Sequence, residues 1–356
     1  EPTDPLYPRQ WGYSARAGGA NVAAAWDVTT GSSNVVIAVV DTGYTSHPDL
    51  APNLLPGYDF IAEPFSANDG DGRDPDATDP GDWATWKESR ECGGILGWSS
   101  DSSWHGTHVA GTIGAAANNG VGGTGVSWQG RILPVRVLGK CGGLMSDIID
   151  AIRWAAGLPV PDVPLNPYPA KVINLSLGIS VPCSRSMQEA VDDAIARGAS
   201  IVASAGNDGD TPGSPANCKG TIAVAAVDPK GEKAPFSNFG PRVDIGAPGV
   251  DILSTANSGK TVTQEPNYVT YDGTSMAAPH VAGTIGLMLS ANSTLTPETI
   301  RAKLIATARR YPAGSSCEAV GKGPICGAGM LDAGRLVESV RGADSPSPGR
   351  ASASAF

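Results

Sequence analysis

The sequence predicts an α/β fold built on a mainly parallel sheet with helices on both faces. After residue 105, apolar runs of strand length alternate with longer segments of helical character. Such alternation is typical of parallel sheets, in which each helix crosses from one strand to the next. The run Val-Val-Ile-Ala-Val-Val at residues 35–40 is apolar throughout, as expected for a strand covered on both faces. At 356 residues and 41% hydrophobic content, the chain is long enough to bury a substantial core.

The individual elements follow from the same patterns. An N-terminal arm, residues 1–33, contains one short predicted helix at 21–26, and the apolar run within 35–43 predicts a strand that ends at Asp41. Pro279 predicts that a helix begins at about residue 275, because a helix tolerates proline in its first turn. The other predicted strands occupy residues 131–137, 171–176, 200–205 and 221–227, and the predicted helices residues 105–116, 146–156, 187–197, 275–289 and 297–308.

Composition limits the domain organisation and the class of partner. Residues 1–342 are predicted to form a single domain, and the Ser/Pro/Ala-rich residues 343–356 a mobile tail. The 35 acidic residues against 25 basic ones give a net charge of −10, which argues against nucleic-acid binding. The sequence contains no run of about 18 apolar residues, so no membrane span is predicted. It begins without methionine or a signal pattern, and we interpret it as a mature, processed product.

The six cysteines predict disulfides. No Cys-x-x-Cys pair or histidine-rich partner suggests zinc, and the even count is typical of proteins from oxidising compartments. Six cysteines allow about 15 pairings. Their order along the chain favours Cys92–Cys141, Cys183–Cys218 and Cys317–Cys326.

Three separate stretches carry residues suited to nucleophilic catalysis. Asp41 ends a buried strand, where open α/β folds place their sites. His105 opens the stretch His-Gly-Thr-His at the head of a helix of small residues, and Ser275 lies in Gly-Thr-Ser-Met-Ala-Ala-Pro at another helix start. A serine at a helix start is usually a cap. The combination of nucleophile, base and acid is what a catalytic triad requires.

These motifs resemble those of the subtilisin-like serine proteases (subtilases), in the family's order Asp, His, Ser. A fourth match, Ala205-Gly206-Asn207, is similar to the segment that carries the family's oxyanion donor, and the similarity extends over roughly residues 11–340. The resemblance implies a subtilisin-like fold and a secreted, extracellular serine endopeptidase. It also implies a monomer made as a zymogen, with a removed propeptide as folding partner. Asp41 would orient His105, His105 would act as acid and base, Ser275 as nucleophile and Asn207 as oxyanion donor.

The resemblance also implies a cleft in which peptide substrates bind extended, paired with backbone on both sides. The side-chain pocket beside the reacting bond would have walls from residues 203–208 and 211–218, where Asp208 could favour a basic residue. Two departures put the family's substrate preference in doubt here: Cys141 lies within one cleft segment, and residues 179–186 replace a short glycine-rich stretch. The implied cleft residues are Leu138, Gly139, Gly143, Ser176, Leu177, Gly178, Ala205 and Gly206.

Calcium is the cofactor that the resemblance implies. Asp49 and Asn119, with the carbonyls of Val121 and Gly123, match the family's tight site, and Asp244 matches a weaker one.

A second calcium site is predicted from the residues themselves. An acidic insertion between Asp41 and His105 concentrates carboxylates that would repel one another, and its glycines allow a tight loop. A cation with several oxygen ligands would account for both features. A solvated, flexible acidic loop is the alternative. The candidate ligands are some of Asp69, Asp71, Asp74, Asp76, Asp79 and Asp82.

Two other function classes are weighed. A catalytically silent, calcium-stapled binding module on the same scaffold would not need Asp41, His105, Ser275 and Asn207, all of which are present. An esterase of the α/β-hydrolase type would carry Gly-x-Ser-x-Gly and the order Ser, Asp, His, and neither occurs in this sequence.

Overall fold

The computed structural model describes residues 1–15, 17–93, 98–319 and 323–341, so the predicted tail lies outside the described residues. The strands are β1 (Val36–Asp41), β2 (Tyr58–Asp59), β3 (Arg131–Arg136), β4 (Val172–Leu175), β5 (Ser200–Ser204), β6 (Ile222–Val227), β7 (Ile245–Pro248), β8 (Ile252–Asn257), β9 (Pro266–Tyr271), β10 (Glu318–Ala319) and β11 (Gly323–Pro324). The α-helices are α1 (Val22–Trp26), α2 (Pro64–Ala67), α3 (Trp86–Glu91), α4 (His105–Gly114), α5 (Met145–Ala155), α6 (Arg185–Ala196), α7 (Thr274–Ala291), α8 (Pro297–Thr307) and α9 (Ala333–Glu338). Two 3₁₀ turns, Tyr7–Arg9 and Trp11–Tyr13, lie in the N-terminal arm.

A parallel sheet of seven strands confirms the predicted fold class. Its strand order is β2-β3-β1-β4-β5-β6-β7, and every neighbouring pair is parallel. β1 lies between β3 and β4, in a register that places Asp41 opposite Arg136. The carboxyl ends of β1, β4 and β5 therefore meet at one edge of the sheet, where such folds bind their ligands.

The alternation of side chains along β1 divides the core into two layers. Ile37 and Val39 pack into the layer that contains α4 and α7, and Ala38 and Val40 pack into the layer that contains α5 and α6. All four side chains are at most 2% exposed, which explains why the strand has no polar position before Asp41.

Close packing explains the small residues of the two helices that carry the predicted histidine and serine. α7 is buried along nearly its whole length and contacts β4, β5, β6, β7 and α4. A Cβ atom at Gly286 would lie 2.6 Å from Ile37 Cδ1, and one at Gly111 of α4 would lie 2.1 Å from Thr255 Oγ1. Larger residues at these positions would push α4 and α7 away from their neighbours.

The sequence did not predict the elements that depend on distant contacts. The antiparallel hairpin β8–β9 was missed, and its strand β9 is largely exposed and lacks a buried face. The strand β7 of the main sheet, the short elements β2, α2 and α3 within the insertion, and β10, β11 and α9 near the end of the described residues were missed as well. Predicted helix and strand boundaries elsewhere agree with the observed ones to within a few residues.

The three predicted disulfides are confirmed: Cys92–Cys141, Cys183–Cys218 and Cys317–Cys326. Cys92–Cys141 joins the end of α3 to the loop after β3, and Cys183–Cys218 joins the loops before α6 and β6. None of the helices among the described residues has the length and apolar character that a membrane span requires.

Candidate active site

The candidate site is a cleft of about 760 Å³ across the carboxyl ends of the central strands. His105, Asn207 and Ser275 line it, and Asp41 lies behind His105. All eight predicted cleft residues line it as well. The structure therefore brings the predicted cleft residues together in one cleft.

His105 is oriented by Asp41. The Asp41 carboxylate is fully buried, and its Oδ1 accepts hydrogen bonds from Thr42 N at 2.8 Å and His105 Nδ1 at 2.7 Å. A carboxylate accepts but does not donate, so the His105 proton resides on Nδ1 and Nε2 is left with its lone pair. Burial lowers the pKa of His105, but Asp41, with smaller contributions from the charges of Asp82 and Asp79, raises it, and the net shift is upward. This arrangement suits a general base.

Ser275 lies in the first turn of α7 and is joined by two hydrogen bonds to Ser176, the residue that follows β4. Ser275 Oγ donates to the carbonyl of Ser176 at 3.0 Å, and Ser176 Oγ donates to the carbonyl of Ser275 at 2.7 Å. Pro279 makes the second bond possible, because it has no N–H to donate to the carbonyl four residues earlier. The observed helix starts at Thr274, so Pro279 lies in the second turn and the prediction of a first-turn proline was wrong.

Asn207 presents its amide nitrogen to the cleft. Its Oδ1 accepts from both the N–H and the hydroxyl of Thr274, each at 2.9 Å. The carbonyl oxygen of the amide is therefore held against the start of α7, and Nδ2 is left on the cleft side. The N–H of Ser275 lies in the same first turn, where backbone N–H groups have no partner within the helix. Asn207 and Ser275 thus both contribute potential hydrogen-bond donors to the same cleft.

Asn238 is a supporting residue that the sequence analysis missed. Its Nδ2 donates to the carbonyl of Ala205 at 3.0 Å, and its Oδ1 accepts from the N–H groups of Asp208 and Asp210. These bonds fix the loop that carries Asn207. Asn238 is 1% exposed, but a buried asparagine distant in sequence from its partners leaves no local pattern to find.

Apolar and polar side chains both line the cleft. Met145, Ile148 and Met187, which the sequence did not single out, contribute apolar surface near the predicted Leu138 and Leu177. Polar lining comes from residues of the two predicted wall segments, 203–208 and 211–218. There Asp208 Oδ2 accepts a hydrogen bond from Ser180 Oγ at 2.6 Å.

The second histidine of the motif is structural. His108 is fully buried, its Nε2 lies 2.9 Å from the carbonyl of Ile252, and its ring stacks on Tyr271 with 4.6 Å between centroids. Burial and the nearby His105 lower the pKa of His108 to about 3, so it stays neutral.

The residues of the first predicted calcium site lie together. Asp49 is fully buried, with Asn119 Nδ2 at 2.7 Å from its Oδ1 and the Tyr268 hydroxyl at 2.8 Å from its Oδ2. Val121 and Gly123 belong to the same loop as Asn119. Burial raises the pKa of Asp49, and within the described residues no Lys or Arg forms an ion pair with it. A buried carboxylate without a cationic partner beside a loop of carbonyls and an amide fits a calcium ion, although Asn119 directs its nitrogen towards Asp49.

Asp244 has a different partner. Its Oδ1 forms an ion pair with Arg301, and its Oδ2 accepts from Ala223 N at 2.9 Å. The charge of Asp244 is therefore already balanced, which argues against the weaker calcium site.

The acidic insertion is compensated in part by arginine. Asp69 lies 2.6 Å from Arg136, a buried side chain that also pairs with Asp59. Burial, and secondly the neighbouring Asp71, raise the pKa of Asp74. Across the described ranges, no three acidic, histidine or cysteine side chains form a cluster that could hold a metal. The structure thus does not bring the predicted acids to one point.

The later acids of the insertion bond to the surroundings of His105. Asp79 is 2% exposed and accepts from Thr42 Oγ1 at 2.8 Å. Asp82 accepts from Ser103 N at 2.6 Å and from Ser103 Oγ at 2.7 Å. Asp76, by contrast, is exposed and accepts from a backbone N–H two residues further on. Burial, and secondly Asp82, raise the pKa of Asp79 to about 7.

The sequence of this chain is similar to those of known proteins. A family model described as the subtilase family matches residues 32–323. The chain is 48% identical over 339 residues to an extracellular protease of Xanthomonas campestris pv. campestris, a match that covers 94% of this chain and 56% of that protein. It is 43% identical over 350 residues to an extracellular basic protease of Dichelobacter nodosus, with 96% and 56% covered. The chain therefore spans little more than half the length of these two relatives.

A solved structure also matches. A protease from Pseudoalteromonas arctica has 46% sequence identity and a TM-score of 0.90, with 95% of this chain and 99% of that chain covered. Subtilisin E of Bacillus subtilis is 38% identical over 283 residues, which cover 78% of this chain and 61% of that protein.

Proposed function

The chain belongs to the subtilase family, and we propose that it is a secreted serine endopeptidase that acts through Asp41, His105 and Ser275. The observation that carries the proposal is the 2.7 Å bond from His105 Nδ1 to the buried Asp41, with Ser275 in the same cleft. Hydrolysis of casein by the purified protein tests it. A folded protein that binds casein but leaves it uncut would favour the silent binding module instead.

The proposed reaction proceeds by acyl transfer. Ser275 Oγ attacks the carbonyl carbon of the peptide bond while its proton passes to His105 Nε2, and Asp41 stabilises the imidazolium that forms. The oxyanion is held by Asn207 Nδ2 and the Ser275 N–H. The intermediate collapses as His105 returns the proton to the leaving amine, which leaves an acyl-enzyme. Water then attacks the ester by the same route and releases Ser275.

One rearrangement is part of this proposal. Ser275 Oγ donates to the Ser176 carbonyl in the structure, and it must turn to His105 to lose its proton. Catalytic hydrogen bonds are often completed when substrate binds. A substrate backbone that lies along residues 176–178 would occupy the space beside this carbonyl, and we propose that its arrival redirects the hydroxyl.

The pH dependence of kcat/KM follows from the pKa of His105. Only the neutral imidazole accepts the serine proton, and Asp41, together with the charges of Asp82 and Asp79, holds the pKa of His105 above its ordinary value of 6.5. We expect kcat/KM to fall as the pH drops through a midpoint above about 6.5. Rates measured with a peptide anilide between about pH 5 and 9 would check this. A midpoint well below 6.5 would contradict the upward shift.

We further propose that the protein binds protein and peptide substrates extended, works outside the cell as a monomer, and folds with a propeptide that is later removed. The names of the two extracellular relatives and the three disulfides support secretion. The two facing backbone segments that line the cleft support extended binding.

Calcium is proposed at Asp49 with the loop 119–123. Calcium would supply stability there, and no catalytic step depends on it. The buried Asp49 carboxylate, which has no Lys or Arg partner among the described residues, is the feature that a cation would balance.

Chelation is expected to lower the melting temperature, and Asp49→Asn should reproduce part of the loss in excess calcium. A site filled at 100 times its Kd stabilises a protein by about 2.7 kcal/mol. Melting curves over a calcium titration measure this, with the exposed Asp27→Asn as control. If Asp49→Asn keeps the parent's full calcium response, Asp49 is not a ligand.

A further inference from the structure

One wall of the cleft is formed by residues 138–143, which we call the edge segment. Three of its six residues are glycine. Glycine loses more conformational freedom on ordering than any other residue. Gly142 has a φ of +80°, and a Cβ placed there would meet no atom within 4 Å. Two backbone hydrogen bonds between Gly139 and Gly142, at 3.0 and 2.9 Å, close the edge segment on itself. Its glycines add no side-chain packing, so its position in the cleft depends on contacts with other parts of the protein.

Lys140 provides such a contact. Its side chain is only 4% exposed, and its Nζ lies 2.6 Å from Glu88 Oε1. The ammonium group also lies 4.8 Å from the ring centroid of Trp83 and 5.5 Å from that of Phe65. Lysine is rarely buried unless its charge is compensated. Here a carboxylate and two aromatic faces compensate it, and all three belong to the insertion.

Glu88 is itself held in place. It is the third residue of α3, and its Oε2 accepts from the N–H of Thr85 at 2.8 Å and from the Thr85 hydroxyl at 2.6 Å. The bond from Lys140 and then those from Thr85 lower the pKa of Glu88 to about 2. The carboxylate thus stays charged at any pH at which the enzyme would work, and the pair with Lys140 persists.

The backbone of the edge segment also contacts the insertion. Lys140 N donates to the Ser66 carbonyl at 2.9 Å, and a Cβ atom at Gly139 would lie 2.1 Å from that oxygen. Cys141 is joined to Cys92 at the end of α3. Lys140 is the charged residue in this series of contacts, and it lines the cleft together with its neighbours Gly139, Gly142 and Gly143, although its side chain is almost fully buried.

We propose that Lys140, held by Glu88, Trp83 and Phe65, is a positioning residue that fixes the edge segment for binding the distal residues of an extended substrate. The inference rests on the proposed endopeptidase function. A segment that is ordered before the substrate binds does not lose further conformational entropy on binding, so the peptide binds more tightly. The edge segment carries no reacting group, so its loosening should weaken binding of long peptides and leave the chemical step intact.

Glu88→Gln tests the proposal, because it leaves the Lys140 charge buried without a counter-charge. We expect KM for a tetrapeptide anilide to rise about 10-fold, since small misplacements of binding groups are costly. kcat, and KM for an ester of a single acylated amino acid, should change less than about twofold. Lys140→Met removes the buried charge and should raise the tetrapeptide KM by only about threefold. In the double variant with Glu88→Gln and Lys140→Met, KM for the tetrapeptide should fall back towards the value of Lys140→Met alone.

Asp193→Asn is the matched control. It breaks the Arg153–Asp193 ion pair, neither member of which lines the cleft, and it should leave both KM values unchanged. The positioning role would be overturned if Glu88→Gln raised KM equally for both substrates, or if it raised KM for neither of them. If Glu88→Gln does not fold, Lys140→Met decides the question by the same comparison. A parent protein that cleaves neither substrate would overturn the proposed function and this inference with it, whereas an active parent with unaffected variants would overturn this inference alone.

Discussion

Ser275→Ala is expected to abolish proteolysis of casein while the protein stays folded. The substitution removes the one oxygen placed to attack the substrate, and an alanine side chain fits wherever a serine does. It also removes the hydrogen bond from Ser275 Oγ to the Ser176 carbonyl, but the reciprocal bond from Ser176 Oγ to the Ser275 carbonyl remains. The start of α7 should therefore keep its position.

The expected loss in kcat is about 10⁶-fold, a magnitude taken from the subtilisin nucleophile, since subtilisin is a relative of this chain. Ser290→Ala is the matched control, because Ser290 lies on the same helix and bonds to the carbonyl of Gly286. Casein cleavage and thermal melting would be measured for both variants. Near-normal cleavage by Ser275→Ala would refute the assignment of the nucleophile. An inactive Ser290→Ala variant would show that α7 is too sensitive for the comparison.

The sequence predicted those elements whose neighbouring residues form a recognisable pattern. β1 is apolar because both its faces are buried, so its run of Val and Ile marked it and also marked Asp41 at its end. His105 and Ser275 each start a helix of small residues, and the small residues are required by the close packing of α4 and α7. His105 and Ser275 lie in sequence motifs and also on helices whose close packing requires small residues. Both features are visible in the sequence, so these two residues could be identified from it.

The remaining features depend on residues far apart in the chain. The acids of the insertion were interpreted as uncompensated because Arg136, which pairs with Asp69, lies 67 residues further on. Lys140 and Glu88 are 52 residues apart, and nothing near either of them predicts a buried ion pair. Asn238 reaches Ala205 across 33 residues. Side-chain contacts of this kind arise only once the sheet has assembled, and no period or motif in the sequence reports them.

Asn207→Ala is expected to lower kcat by about 10²–10³-fold with little change in KM, a range that again comes from subtilisin. The Asn207 amide is fixed at one end, because Thr274 donates to its Oδ1 from both its N–H and its hydroxyl. The nitrogen end is thereby aimed at the cleft before any substrate arrives. A donor fixed in advance stabilises the oxyanion more than the neutral carbonyl, so its loss affects the transition state and not ground-state binding.

The companion variant Asn207→Asp separates this role from a merely structural one. Aspartate has nearly the same shape and keeps an oxygen to accept from Thr274, but it replaces the Nδ2 donor with a negatively charged oxygen. We expect a loss in kcat at least as large as that of Asn207→Ala, because the new charge would repel the oxyanion, with a melting temperature close to that of the parent. Steady-state kinetics on a peptide anilide and melting curves test both variants. A rise in KM at unchanged kcat would mean that Asn207 binds the substrate carbonyl and does not act on the transition state.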